Sequence, residues 1–134
     1  MTLAYMFDTN IVSALVHDRG AARVLLARRN PARAAVSTIV VGEILFGVAK
    51  RRSAALGAQV MQVLSSLAIL QVDEDVAATY GRIRAALQNL GTPIGSNDLW
   101  IAAHALSLDM TLVTANVDEF ARVEGLRVEN WLAD

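Results

Sequence analysis

At 134 residues, with a formal net charge of −1 and 54% hydrophobic residues, the chain is long enough for one domain with a real core. Its balance of charge argues against a generic nucleic-acid coat. It has no cysteine, which excludes a disulfide framework or thiolate metal site and fits a reducing cytoplasm. The mean hydropathy of +0.41 implies apolar surface covered by a partner or a second copy.

No apolar run approaches the ~20 residues of a membrane span. The first residues lack a cationic stretch, so no signal peptide is expected. Leu3–Phe7 reads as a strand that runs into Asp8, Thr9 and Asn10. Asp8 is read either as a turn residue or N-cap of a helix starting near Asn10, or as a ligand at a strand end. Ala21–Arg29 reads as a short helix. Arg19 to Arg52 carries eight basic residues against Glu43 alone, whereas Ser53 onward carries four basic residues against ten acids. Such a split can set a basic face beside an acidic one, or be no more than solvated helix charge.

Ala34–Val36 reads as the second strand, with Ser37 or Thr38 capping a helix to about Arg52. Within that helix, Glu43 stands in the otherwise apolar run IVVGEILFGV. A buried lone carboxylate costs several kcal/mol unless paired or coordinated. The alternative is a glutamate snorkelling from the helix rim or paired with an arginine. Ala54–Leu67 reads as a helix and Ile69–Val72 as a strand. Asp73 caps a long helix that reaches Leu90 and stops at Gly91. Ser96 is the expected cap of a helix through Leu108, with Asp98 in its first turn. An acid there suits the helix dipole. The apolar residues that follow bury the helix and aim Asp98 into whatever cavity lies at its start. Thr111–Thr114 and Leu126–Glu129 read as strands. Between them, TANVDEF carries Asn116, Asp118 and Glu119, and local sequence leaves open which of these faces a site. His17 and His104 are isolated, and each reads as structural.

Strands separated by helices predict a mainly parallel sheet covered by helices, with ligands outside the carboxyl ends of the strands. Asp8 and the acids after Thr114 fall on that edge. Clustered carboxylates need a cation to ionise together, and hard oxygen donors select Mg²⁺ or Mn²⁺. Such an ion suits phosphodiester hydrolysis.

The blocks MFDTNIVSAL, STIVVGEILFGVAK, PIGSNDLWIAAHAL, LVTANVDEF and GLRVENW, in this order, resemble the PIN-domain ribonuclease toxins of the VapC type. The resemblance implies a single PIN-like domain over residues 1–134, an α/β/α sandwich with a mainly parallel sheet. It implies an Mg²⁺- or Mn²⁺-dependent endoribonuclease acting on a tRNA or rRNA loop, leaving 5′-phosphate and 3′-hydroxyl ends. It further implies a homodimer held inactive by a cognate VapB-like antitoxin. Asp8, Glu43 and Asp98 fall on the family's metal-site acids. Asn116 and Glu119 fall on its fourth place, Asn116 as a polar site residue and Glu119 as the supporting acid. Thr9, Asn10 and Thr114 match neighbours of the site, and Arg19, Arg23, Arg28 and Arg29 are candidates for the RNA backbone. A catalytically weak relative that binds RNA or protein as a regulator is the alternative. The three core acids argue against it.

Overall fold

The structure is a computed structural model that describes residues 2–17 and 31–132. The helix expected over Ala21–Arg29, with Arg19, Arg23, Arg28 and Arg29, lies outside the described residues. The elements are β1 (Tyr5–Phe7), α1 (Thr9–Val16), β2 (Ala34–Ser37), α2 (Thr38–Arg51), α3 (Ala54–Ser65), β3 (Ala68–Leu70), α4 (Glu74–Asn89), α5 (Ser96–Ser107), β4 (Thr111–Val113), α6 (Val117–Phe120) and β5 (Val128–Glu129). A short 3-10 turn over Pro31–Arg33 leads into β2.

The five strands form one sheet in the order β3-β2-β1-β4-β5. Every pairing is parallel, with Tyr5 opposite both Ala34 and Thr111. Successive strand residues point to opposite faces. Met6 and Phe7 are adjacent in β1 and both fully buried, as are Ala35 and Val36 in β2. Both faces of the central strands are therefore covered, which is the α/β/α arrangement and explains why these strands read as apolar runs without alternation. One group of helices, α1, α2 and α3, packs together; α4 and α5 form the other large pair. Among the described residues, no helix is long and apolar enough to cross a membrane.

Helix ends follow local chemistry. Asp73 accepts from the Val76 N–H at 3.0 Å and starts α4 as expected. Gly91, at φ +71°, ends it. There the Thr92 N–H reaches the Leu87 carbonyl (2.9 Å) and the Gly91 N–H the Gln88 carbonyl (3.1 Å). This is a Schellman closure. α5 closes likewise at Asp109, φ +55°, where Met110 bonds back to Ala105 at 2.9 Å. Two expectations are corrected. Ser96 is not the cap of α5: Gly95 holds the N-cap position without a side-chain bond, and Ser96 is the first helical residue. The third strand is Ala68–Leu70 rather than Ile69–Val72, because its ladder with β2 runs from Ala35↔Ala68 to Ser37↔Leu70.

Trp131, almost fully buried, seals the far end of the chain. Its ring meets Tyr5 and Phe7 edge-on at 4.7 and 5.5 Å between centroids. Its indole N–H donates to Glu129 at 2.9 Å.

Candidate active site

The chain leaves β1, builds β2 and β3 on one side, then returns to lay β4 against the other side of β1. The carboxyl ends of β1 and β4 thus flank a topological switch point, where open parallel sheets bind ligands. Asp8 follows β1 directly and Thr114 follows β4 directly. Their side chains meet although 106 residues separate them: the Thr114 hydroxyl donates to Asp8 Oδ2 at 2.8 Å.

Asp8 is the N-cap its sequence allowed, and it stands at the end of β1. Its Oδ1 accepts from the Thr9 N–H at 2.8 Å and caps α1. Its Oδ2 takes Thr114 and, at 3.2 Å, the Asn10 amide. Asn10 also donates to Thr114 Oγ1 (3.2 Å) and accepts from the Ala115 N–H (3.0 Å). Thr114 Oγ1 in turn accepts from the Asn116 N–H at 3.0 Å. One hydroxyl thus spends its donor and both acceptor sites, and the two strand-end loops are locked together. Burial pushes the Asp8 carboxyl up. Its bonds from Thr114 and Thr9 pull it back, while the charges of Glu43 and Glu119 push it further up.

Glu43 enters from α2. Its Oε2 accepts from the Thr9 hydroxyl at 2.8 Å. Its Oε1 is buried and has no hydrogen-bond partner among the described residues. The helix is held by Ser37, whose Oγ accepts from the Ile39 N–H at 3.1 Å and lies 2.8 Å from His104 Nδ1. Burial pushes the His104 imidazole below its ordinary range, which favours the neutral ring, whose Nδ1 can accept a hydrogen bond from the Ser37 hydroxyl. His104 is structural, as expected, and it ties α2 to α5.

Asp98 enters from α5. Burial comes first among the causes that push its carboxyl up to about 7; Glu119 beside it comes next, then Asp8 and Glu43. Glu119 enters from α6. It accepts from the Asn116 amide on one oxygen and from the Gly95 N–H, at 3.4 Å, on the other. Asp118, its neighbour in that turn, is exposed. The structure therefore brings Asp8, Glu43, Asp98, Asn116 and Glu119 together, with Thr9, Asn10 and Thr114 as their hydrogen-bond frame.

Among the described residues, no group of three or more acids or histidines stands close enough together to hold a metal ion by itself. The donor set nevertheless fits Mg²⁺ or Mn²⁺. Mg²⁺ is held by one or two carboxylates and keeps several waters. The upward shifts of Asp8 and Asp98 come from burial first and then from the acids beside them, a crowding that a bound cation would relieve. Thr9, Asn10 and Thr114 would fix the ligand orientations, as partners behind metal ligands do.

A parallel sheet that gathers four carboxylates at its switch point defines an α/β domain built around an acidic centre. The family model described as PIN domain matches residues 5–126. A Haemophilus influenzae protein named Ribonuclease VapC2 is 40% identical over 131 residues, covering 97% of this chain and 99% of its own. A Salmonella typhimurium protein named tRNA(fMet)-specific endonuclease VapC is 33% identical over 130 residues, covering 96% and 98%. The crystal structure of VapBC2 from Rickettsia felis bound to a promoter DNA fragment superposes with TM-score 0.86 at 34% identity, covering 96% and 99%. The chain belongs to the PIN-domain family, among the ribonucleases of the VapC type.

Proposed function

We propose that this chain is the toxin of a toxin–antitoxin pair, a single-domain endoribonuclease that requires Mg²⁺ or Mn²⁺. The observation that carries the reading is the meeting of Asp8, Glu43, Asp98 and Glu119 at the switch point, with one Glu43 oxygen buried and unpaired. Asp8 and Asp98 would hold the ion, with Glu43 nearby. The bound ion would supply an activated water and neutralise charge on the phosphodiester. Thr9 clamps one oxygen of Glu43 and leaves the other free to position or deprotonate that water. Asn116 holds Glu119 against the start of α5, where it confronts Asp98. The phosphodiester is cut without use of the 2′-hydroxyl, leaving 5′-phosphate and 3′-hydroxyl ends.

The relative named for tRNA(fMet) supports a tRNA loop as substrate, with an rRNA loop the other choice. The charge split assigns backbone contacts to Arg19, Arg23, Arg28 and Arg29. The VapBC complexes support a VapB-like antitoxin as partner.

The purified protein is expected to cut bulk tRNA or rRNA with Mg²⁺ or Mn²⁺ and to stop on EDTA. Asp8→Asn is expected to lose at least about 100-fold in rate, as loss of a metal ligand should. An Asp8→Asn protein with full metal-dependent activity would overturn the assignment. Wild-type protein that binds RNA and leaves it uncut would make the chain a binding module instead.

A further inference from the structure

Glu43 is flanked by two grooves. One lies between α1, α2 and α3 and is walled by Val16, Ile44, Val48 and Val60. The other, of about 320 Å³, runs between α2 and the start of α5 and is lined by Thr38, Ile39, Gly42, Glu43, Phe46 and Asn97. The second groove has as its walls the two helices that deliver Glu43 and Asp98.

Phe46 stands one helical turn beyond Glu43, about 4.5 Å along the axis. It is 67% exposed, the most exposed of the large aromatic side chains among the described residues. Gly42 lies beside it, and a Cβ added there would meet nothing within 4 Å. Glycine inside a helix costs about 1 kcal/mol relative to alanine. Packing within the described protein does not require it. The bare backbone keeps the groove floor open beneath the ring. At the rim, Thr38 offers a hydroxyl, and Asn97 an amide with both donors and an acceptor. An apolar ring face, a clear floor and an amide at the edge are the parts that hold an unstacked nucleobase: stacking on one side, hydrogen bonding along the edge.

Resting on the ribonuclease reading, we propose that Phe46, Gly42 and Asn97 form a nucleobase subsite, in which one base flanking the scissile phosphate stacks on Phe46. Its phosphate then lies toward Glu43 and Asp98, because Glu43 lines the groove and Asp98 follows its rim residue Asn97. The subsite selects RNA whose base next to the cut is unpaired.

The test uses bulk tRNA to map the cut, then a stem-loop oligoribonucleotide spanning it, with abasic ribose placed at each position in turn. Phe46→Ala should lower kcat/KM roughly 5- to 150-fold, the range of one base-stacking contact. Phe46→Trp should stay within about threefold of wild type, since stacking persists. Gly42→Leu should block the groove and cut as slowly as Phe46→Ala, while its melting temperature does not fall. On one abasic substrate, and only that one, wild type and Phe46→Ala should cleave equally slowly. Wild-type cleavage with an unaffected Phe46→Ala overturns the subsite and leaves the nuclease standing; absence of wild-type cleavage overturns both. If Phe46→Ala instead changes the oligomeric state in light scattering, or loses antitoxin binding with cleavage unchanged, the face belongs to a protein and the subsite falls.

Discussion

Asp98 carries the largest upward shift with a stated value, to about 7 from an ordinary 3.8. Without a cation, the folded protein therefore keeps a proton there between about pH 4 and 7 that the unfolded chain has released. Stability then falls as pH rises through that window, because the native state binds the extra proton. In EDTA, Asp98→Asn should remove this loss. Its gain over wild type should grow from pH 4 to 8 and reach on the order of 1–2 kcal/mol, reduced for partial exposure. Thermal melts of both proteins across pH give the difference, and a difference independent of pH would refute the shift. Thr114 is the second decisive residue. Thr114→Val keeps the volume but strips Asp8 of a donor and leaves the Asn10 amide and Asn116 N–H one acceptor short. The expected result is a loss of about 1–3 kcal/mol in urea unfolding and a ~10- to 100-fold weaker metal response. Unchanged Mg²⁺ titration would show that Thr114 does not orient Asp8.

At the scale of elements, the site is an exercise in aiming helices. α2 and α5 each carry one acid, and the Ser37–His104 bond joins the start of α2 to the last turn of α5. Ser37→Ala removes an N-cap and orphans a buried imidazole, a loss expected to be about 1–3 kcal/mol. The effect should reach activity too, since Glu43 rides on that helix. Chemical denaturation measures the first and kcat the second; a stable, fully active Ser37→Ala would deny the coupling. His104 adds a pH limb of its own. Burial lowers its pKa from 6.5, so its neutral form stabilises the fold above that pH, and the contribution is lost as pH falls below it. The element pattern also explains the corrected cap. The Gly95 N–H turns to Glu119, so the start of α5 is organised by a carboxylate from α6 rather than by Ser96.

For the whole molecule, the apolar excess resolves into exposed side chains at particular places. Met61 on α3 is 60% exposed and Ile69 on the edge strand β3 is 47% exposed. These belong to neighbouring elements and support α3 as a dimer face. α4 is mostly exposed along its outer side and offers a second. Met61→Glu is expected to shift the protein toward monomer at micromolar concentration in light scattering, with its melting temperature nearly unchanged. Undisturbed dimer would move the face to α4, and a monomeric wild type would remove it. Exposed apolar area at Phe46 shares a groove with Glu43 and answers to the substrate test instead.

Much of this protein was legible in one dimension. Strands alternating with helices announced a parallel sheet covered by helices, and the acids Asp8, Glu43 and Asp98 stood out against apolar neighbours, although each also had a structural reading. Asp73 and Gly91 marked helix ends because caps act within four residues. These are local signals: periodicity, propensity and the cost of burying charge are written in neighbouring residues. What the sequence left open depends on partners far along the chain. Whether Asp118 or Glu119 joins the site turns on which side of a four-residue helix meets Gly95, 24 residues earlier. Thr9 clamps Glu43 across 34 residues, and Ser37 finds His104 across 67. Whether Phe46 is core or platform depends on what α5 leaves uncovered. Such contacts form only when the strand order brings distant segments to one edge, so the tertiary structure had to choose them.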